Sequence, residues 1–380
     1  MELKEYRFDK VTINFDKKRV PLSGAQREKR QGNFRYYGAQ GVIDHIDDFI
    51  FDGTYLLIAE DGENLKSKKQ NIAQVVEGQF WVNNHAHIVQ GNELCNTRYL
   101  CYLLNSMDLS GYVTGSAQPK LSQANLNAVT LFLPSITVQE RIVECLYLFD
   151  KKIAVNQKIN DNLEQQARAY FQELFVDNSD SAWTLGTVSD LGAVVGGSTP
   201  SKSKPEYYTE DGIAWITPKD LSINKAKFIS HGENDITELG LKNSSASIMP
   251  EGTVLFSSRA PIGYIAIASG EVTTNQGFKS VVPKPEIGTA YVYYFLKYNL
   301  PVIEGMASGS TFKEVSGSTM KNVPAVIPDT ETLACFNDFC TPIFAQQRIL
   351  EEQNQSLAAL RDSLLPKLMS GEIDVSDIQL

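Results

Sequence analysis

Long hydrophobic runs and paired cysteines are missing from this chain of 380 residues. No apolar run approaches the roughly 20 residues of a membrane-spanning helix, and the opening residues Met1–Glu5 do not resemble a signal peptide. The five cysteines include no Cys-x-x-Cys pair. These absences predict a cytoplasmic protein without a membrane partner, in which the cysteines are reduced thiols of the core.

Signatures of the common catalytic sites are absent as well. The chain contains no Gly-x-Ser-x-Gly, His-Glu-x-x-His or Gly-x-Gly-x-x-Gly motif, and no Asn-Pro-Pro-aromatic tetrad of the kind with which amino-methyltransferases hold a flipped base. The stretch from Gly196 to Ser203 differs from a phosphate-binding loop, because Ser201 replaces a required glycine and Pro200 removes a backbone amide. The sequence therefore favours a binding protein over an enzyme.

Histidine is scarce, with four in the chain. His85 and His87 stand two residues apart on a predicted strand, so their side chains share a face as two metal ligands do. No cluster of cysteine or carboxylate residues completes such a site, and only His45 and His231 remain. We therefore predict a hydrogen-bonded structural pair and no metal site.

The charge is acidic overall but uneven along the chain. A formal net charge of −10 speaks against nucleic acid, because phosphate binding depends on lysine and arginine. The stretch from Lys17 to Arg35, however, has seven basic residues against one acid, and aromatic residues close it. This pattern predicts a local basic face on an acidic body, with a solvated charged loop as the alternative.

The most informative feature that is present is an internal repeat. Residues 84–176 are echoed by residues 275–370: Gly115 recurs as Gly309, Val129 as Val323 and Leu163 as Leu357, each 194 positions later. The period is far longer than the ~20–50 residues of solenoid units. It predicts a duplicated module, and reading a two-part target is the obvious use of a protein that performs one task twice.

Each copy ends in a predicted amphipathic helix. In the first, Thr137–Glu140 is a capping-box pattern, and apolar residues then recur at alternating steps of four and three, which is typical of a coiled-coil seam. The second copy repeats the pattern, and a seam asparagine fixes register at a cost in stability. The predicted seam positions are Ile142, Leu146, Phe149, Ile153, Asn160 and Leu163 in the first helix and Ile343, Leu350, Asn354, Leu357 and Leu364 in the second.

Two prolines bear on the second helix. Pro342 predicts that this helix begins there with Thr341 as its cap, or is kinked there, and Pro366 predicts a bend or an end to its last turn. We expect the two helices to pack antiparallel, with two independent core helices as the alternative. The 33 residues from Ile142 to Leu174 would extend about 50 Å, which is more than one turn of DNA.

The bodies between the helices are predicted to be strand-rich, with an α+β fold. β-type runs punctuated by Gly, Asn, Pro and Ser clusters occur in both copies, and a short helix is predicted at residues 97–104 and again at residues 290–297. Predicted strands lie at residues 55–58, 80–82, 88–89, 253–256, 264–267 and 279–282.

At this point the residues resemble the specificity subunit of type I restriction–modification systems. The resemblance covers nearly the whole chain. Its strongest part is the opening of a target-recognition domain in the second copy; the first copy lacks that opening, and the second helix lacks a counterpart of Gln139–Ile142. The stretches that carry the resemblance are Gly196–Pro200, Pro205–Tyr207, Ile213–Leu221, Asn275–Phe278, Asn84–His87, Tyr36–Gly41 and Leu364–Leu368 with Gly371–Glu372.

The resemblance implies two target-recognition domains separated by two long helices that form an antiparallel coiled coil in a pseudo-twofold arrangement. It implies that each domain reads one half of a split double-stranded DNA target and that the helices dock two methyltransferase subunits. S-adenosylmethionine, ATP and magnesium are then expected on partner subunits, including restriction subunits, and no cofactor on this chain. The expected segments are a first recognition domain (1–136), a central helix (137–176), a second recognition domain (177–330), a C-terminal helix (331–371) and a tail (372–380).

Residues that suit base edges and phosphates are the candidates for DNA contact, because Arg, Lys and Gln donate to both and small hydroxyls fit either. They are Arg27, Arg30, Arg35, Tyr37, Gln40 and Lys120 in the first copy and Ser198, Thr199, Lys202, Lys219, Arg259 and Lys313 in the second. Two other functions stay open at this point. One is a coiled-coil scaffold that does not bind DNA, which the acidic charge favours, and the other is a self-contained methyltransferase or nuclease.

Overall fold

The structure is a computed structural model that describes residues 1–67, 70–115, 118–309 and 313–375. The chain divides into two compact units. The first comprises Met1–Ile153 together with the chain from Ser356, and the second comprises Ala154–Gln355. Within the described ranges, no helix has both the length and the apolar character needed to cross a bilayer.

The strands of the first unit are β1 (Lys4–Arg7), β2 (Thr12–Asn14), β3 (Gln31–Gly38), β4 (Gly41–Ile46), β5 (Phe51–Ala59), β6 (Ala73–Val82), β7 (Ala86–Gly91) and β8 (Thr130–Leu133). Six of them form a sheet of order β2-β7-β5-β6-β3-β4, whose pairs are antiparallel except for β3 and β6. The short helices of this unit are α1 (Phe8–Val11), α2 (Gly24–Glu28), α3 (Asn64–Ser67), α4 (Thr97–Ser106) and α5 (Gln123–Asn127).

A long helix, α6 (Ile136–Gln172), follows and ends in a single π-helical turn at Glu173–Asp177. The strands of the second unit are β9 (Thr184–Thr187), β10 (Gly192–Gly196), β11 (Tyr208–Thr209), β12 (Ile213–Ile216), β13 (Phe228–Ile229), β14 (Asn234–Ile236), β15 (Val254–Ser258), β16 (Ile262–Ala268), β17 (Thr273–Thr274), β18 (Lys279–Pro283) and β19 (Pro324–Ile327). They form two main sheets, of order β10-β18-β15-β16-β13 and β11-β14-β12-β17. The short helices of this unit are α7 (Val188–Leu191), α8 (Pro218–Ile223), α9 (Glu238–Lys242), α10 (Thr289–Tyr298), α11 (Leu300–Gly305) and α12 (Gly317–Lys321).

The internal repeat is confirmed as a structural duplication. Strand β8 pairs with β1 in the first unit, and β19, 194 positions later, pairs with β9 in the second. Helices α4 and α10 lie at the two predicted short-helix positions, and every predicted strand lies in or overlaps an observed one. In both units an asparagine side chain accepts the amide of the residue two positions on, Asn83 from His85 and Asn275 from Gly277, each at 2.8 Å.

The starts of the two long helices correct the sequence predictions. Helix α6 begins at Ile136, so Thr137 lies inside its first turn and the capping box does not form. The buried Gln139 is a structural residue: its side chain accepts the amide of Asn96 and donates to the carbonyls of Leu94 and Pro134, all at 2.9 Å. The buried, apolar Leu333 stands at the equivalent place in the second copy, so these side-chain hydrogen bonds have no counterpart there.

The last helix, α13 (Thr330–Ser370), begins twelve residues before Pro342 and runs through both Pro342 and Pro366. The prediction that Thr341 caps it is wrong. Asp329 caps it, accepting the amide and the hydroxyl of Thr332, each at 2.8 Å. Thr341 instead donates its hydroxyl to the carbonyl of Asn337, 2.7 Å away, inside the helix. The helix survives its prolines because burial of its apolar face outweighs local propensity.

The predicted seam residues lie along the long helices α6 and α13. Each of the predicted seam residues is buried or partly buried. In the second unit, Asn156 pairs with Asn354 and Tyr170 with Phe339, so α6 and α13 run antiparallel there. In the first unit, the side chain of Asp150 accepts from Arg361 at 2.5 Å, and nearer the start of α6, Ile142 packs in one core with Leu368. The helices are antiparallel there too, which excludes two independent core helices.

All five cysteines are free, as predicted. Burial raises the pKa of Cys95, Cys101 and Cys340 to about 12, so these thiols stay protonated and unreactive at neutral pH. Cys335 is exposed, and the expectation that every cysteine lies in the core is wrong for this one.

Candidate nucleic-acid interface

A concave pocket of about 460 Å³ lies in the second unit, where the loops after β10, β12, β15 and β17 meet. Four residues predicted from the sequence line it, and they come from three separate loops of the chain, which the strands bring together at one edge. They are Thr199, Lys202, Lys219 and Arg259.

A glycine allows two of these loops to touch. A Cβ atom on Gly197 would lie 2.1 Å from the carbonyl oxygen of Asn275 and 2.4 Å from that of Thr274, so no other residue fits. The amide of Ser198 donates to the Thr274 carbonyl at 2.8 Å. This close approach lets the Thr199 hydroxyl donate to the side-chain carbonyl of Gln276. Ser198 itself uses its hydroxyl to accept the amide of Ser245, 3.3 Å away.

The start of α8 forms another wall of the pocket. Thr217 and Asp220 make a capping box, in which one Asp220 oxygen accepts the Thr217 amide at 2.7 Å and its hydroxyl at 2.6 Å. Pro218 occupies the first helical position, where its missing amide costs nothing. Lys219 follows and is thereby held at the rim, where it donates to Glu233. That hydrogen bond raises the pKa of Lys219, so its ammonium is charged at every physiological pH.

The charges around the pocket are partly balanced. Arg259 faces Glu314 at 3.5 Å, and Lys279 approaches the same carboxylate at 3.7 Å. Within the part of the chain that the structure describes, Lys202 has no side-chain partner. Among the described residues, the pocket therefore has one unpaired cation, Lys202. Lys219 and Arg259 are each paired with a surface carboxylate, which a phosphate would replace as their partner.

Three amide side chains of the pocket were not nominated from the sequence. Asn234, Asn275 and Gln276 line it beside the cations. Asparagine and glutamine bind adenine through a donor and an acceptor on one edge. The available sequence signal for two of them was the stretch Asn275–Phe278, which carries part of the resemblance. Asn234 gave none, since only the sheet brings β14 to this place.

The predicted basic face of the first unit is partly neutralised. Arg27 pairs with Asp44 at 2.9 Å, and Arg30 pairs with Asp47 at 2.8 Å, across the β3–β4 hairpin. The acidic residues that follow the basic stretch along the chain are thus the ion-pair partners of its arginines. Arg35 donates to the carbonyl of Glu77 at 2.6 Å. Charge counting along the chain cannot show this, because the pairs join residues 17 positions apart.

Two other candidates of the first unit differ in access. Tyr37 is 4% exposed, with its ring against that of Phe80, so it belongs to the core. We therefore no longer place Tyr37 in the interface. Gln40 donates to Asn64 at 3.5 Å and is exposed. Lys313 is exposed beside residues 310–312, which lie outside the described residues.

An ion pair occupies the same place in both units with its charges reversed. In the first unit, Lys120 lies 3.3 Å from Glu60. In the second, Glu314 stands at the repeat position of Lys120 and pairs with Arg259, from the strand end that corresponds to Glu60. The two units therefore present the cation of this pair from different loops.

The histidine pair is structural, as predicted. The buried His87 places one ring nitrogen 2.7 Å from Asp16 and the other 2.8 Å from the carbonyl of Leu121. His85 lies 2.7 Å from Asp61 at the surface. Burial acts to raise the pKa of Asp16, but hydrogen bonds from His87 and the Ile88 amide outweigh it and lower that pKa. Among the described residues, no group of three or more His, Cys, Asp or Glu side chains is placed to hold a metal ion.

Comparison with protein families decides the identity. The model of the type I restriction modification DNA specificity domain matches the chain twice, over residues 9–165 and 180–360. The chain belongs to this family. It is a specificity subunit of the type I restriction–modification kind, with two specificity domains in tandem, and the two matches agree with the duplication seen in the fold.

Several relatives resemble this specificity subunit. The type I restriction enzyme MjaIX specificity subunit of Methanocaldococcus jannaschii is 41% identical over 191 residues, which is 48% of this chain and 44% of that protein. The chain thus spans less than half the length of this relative. A putative specificity subunit of Haemophilus influenzae, S.HindORF215P, is 27% identical over 338 residues, covering 84% of this chain and 82% of that one.

The fold is shared with a solved structure. The type I restriction–modification S subunit of M. genitalium matches 97% of this specificity subunit and 96% of its own chain, with a TM-score of 0.58 at 15% sequence identity. At that identity the likeness concerns the fold alone.

Proposed function

We propose that this specificity subunit reads a split DNA sequence, one half with each unit, and contributes recognition rather than catalysis to a larger enzyme. The observation that carries the proposal is the pocket of the second unit. Four residues nominated for DNA contact converge on it beside three amide side chains, and that mixture suits phosphates and base edges together.

The chemistry divides within the pocket. Lys202, Lys219 and Arg259 are suited to phosphates, which fix the register of the protein on the duplex without reading sequence. Asn234 and Gln276 are suited to base edges in the major groove. The carboxylates of Glu233 and Glu314 hold two of the cations in place before DNA arrives and repel a wrongly placed phosphate.

The partners follow from the family. We propose that the antiparallel helices dock two methyltransferase subunits, which bring S-adenosylmethionine, and that restriction subunits with ATP and magnesium join through them. The duplicated fold supports two copies of one partner. We propose a cytoplasmic location for the complex, where it meets DNA.

The test is the salt dependence of DNA binding by the complex with its methyltransferase subunits. We expect Lys202→Ala to reduce the slope of log affinity against log salt by about 0.9. Lys242→Ala is the matched control, because Lys242 is an exposed lysine of the same unit that does not line the pocket. Equal slopes for Lys202→Ala and the unsubstituted protein would remove the pocket from the interface.

A further inference from the structure

A lysine is buried in the second unit, away from the DNA pocket. Lys227, in the loop before β13, is 8% exposed. Its ammonium lies 2.5 Å from Glu164 of α6, 2.7 Å from the side-chain carbonyl of Gln347 of α13, and 3.2 Å from the hydroxyl of Tyr294. A charge taken out of water is costly unless it is paired and hydrogen-bonded, and here three polar partners surround it.

The backbone of the same loop is held as well. The carboxylate of Glu351, one helical turn beyond Gln347 on α13, accepts the amides of Lys227 at 2.8 Å and Phe228 at 3.0 Å. The loop is therefore held at two points. The side chain of Lys227 bonds to both α6 and α13, and the backbone amides of the loop bond to α13.

Glu164 joins a further element to the cluster. It accepts the hydroxyl of Tyr294 at 2.8 Å and the ammonium of Lys297 at 2.8 Å, both from α10. The ring of Phe344, on α13, closes the cluster 4.1 Å from the Lys227 ammonium. The strand-rich body of the second unit is therefore tied to α6 and α13 by directional bonds in addition to the apolar core that they share.

A buried ion pair is weak evidence for stability, since an apolar replacement of similar volume is often as stable. What it supplies is geometry, because only one arrangement satisfies every partner. We propose that Lys227 is a positioning residue, which fixes the strand-rich body of the second unit on the helix pair and thereby restricts the number of base pairs tolerated between the two target halves. This inference rests on the proposed function.

The first unit offers a matched comparison. There, Tyr102 of α4 donates to Asp150 of α6, as Tyr294 of α10 donates to Glu164. The cation that pairs with Asp150 is Arg361, however, and Arg361 lies on α13 rather than in the strand-rich part of the first unit. Substitution of Arg361 therefore removes a partly buried cation from the helix pair without releasing a loop of the second body.

The experiment measures binding of the complex with its methyltransferase subunits to duplexes whose gap between the half-sites differs by one base pair in either direction. We expect Lys227→Met, which keeps the apolar stem, to reduce the preference for the native gap from roughly tenfold to less than about threefold. The sequence preference at each half should not change. Arg361→Met should lower stability and leave the gap preference as it is.

Each other outcome contradicts the inference. An unchanged gap preference in folded Lys227→Met would overturn the positioning role while leaving the proposed function in place. A changed sequence preference in the second half would show that Lys227 supports the reading site instead. If Lys227→Met does not fold, Lys227→Met with Glu164→Gln removes both charges and carries the same expectation. A complex without sequence preference in any form would defeat the proposed function and the inference with it.

Discussion

Asn156 of α6 donates its side-chain amide to the side-chain carbonyl of Asn354 of α13, 2.9 Å away, so two asparagines meet across the helix pair. The repeat predicts Asn160 and Asn354 as equivalents. In the structure Asn160 instead exchanges bonds with Gln347, whose side chain donates to the Asn160 carbonyl at 3.2 Å. These four residues form a polar layer in an otherwise apolar seam, and such a layer fixes register at a cost in stability.

Replacing the asparagine pair by leucine should stabilise the protein. The side-chain oxygen of Asn156 is buried with no donor among the described residues, and such an atom costs about 1–3 kcal/mol. We expect Asn156→Leu with Asn354→Leu to raise the urea midpoint and Asn156→Leu alone to lower it, with a coupling of about 1 kcal/mol in the double-mutant cycle. A double variant less stable than the parent would show that the layer stabilises the fold.

Removing the buried histidine should destabilise the first unit. His87→Leu leaves Asp16 buried beside an apolar side chain, and we expect a loss of about 3 kcal/mol in the free energy of unfolding. His85→Ala is the control, because the His85 side chain is 52% exposed and its loss should cost less than about 0.5 kcal/mol. Equal effects of the two variants in thermal melts would contradict the structural role of His87.

Glu164 should make stability depend on pH in the acid range. Burial acts to raise the pKa of Glu164, but Lys227 and Lys297 outweigh it and lower that pKa from 4.5 to about 2. The stabilisation is therefore complete above pH 4.5 and fades as the pH falls toward about 2. At about 1.4 kcal/mol for each unit of pKa, it amounts to about 3 kcal/mol. Denaturant titrations of Glu164→Gln and the parent should differ most above pH 4.5 and converge on acidification; a constant difference would refute this.

Two neighbouring cations of the first unit should behave differently. Lys29 is exposed and has no side-chain partner among the described residues, whereas Arg30 is paired with Asp47. We expect Lys29→Glu to weaken DNA binding and reduce its salt slope by about 0.9. Arg30→Glu should instead cost about 1 kcal/mol of stability, which is a fall of roughly 2–4 °C in melting temperature. The assignment of these roles is wrong if Lys29→Glu alters the melting temperature and not the binding.

The sequence predicted the elements that repeat and the seam that buries them. The spacing of apolar residues along a helix reflects which of its faces is buried, so the pattern from Ile142 onward predicts residues that are buried or partly buried in the structure. The repeat likewise predicts the duplicated short helices and strands. Local rules were misleading where tertiary packing overrides them. Pro342 lies inside a continuous helix, since the flanking turns are held by their packed faces.

Side-chain partners were the part that the sequence could not predict. Arg27 and Arg30 are predicted to contact DNA, but each is paired with a carboxylate 17 positions away along the chain. Tyr37 is predicted to contact DNA, but it lies in a strand whose two faces are both covered, since the adjacent Tyr36 is buried as well. Lys202 and Arg259 reach one pocket because the loops after four strands meet at one edge of the sheets. No pattern along the chain shows that these loops meet.

The central claim is that this chain addresses a methyltransferase to a split DNA sequence, and methylation mapping across a whole genome tests it most directly. Cells are compared that carry the partner methyltransferase subunit with and without this chain. We predict a split motif that is methylated only when the chain is present, and a change in one half of that motif when residues 1–136 are replaced by those of another specificity subunit. Methylation that does not depend on the chain, with an active partner subunit, would contradict the account.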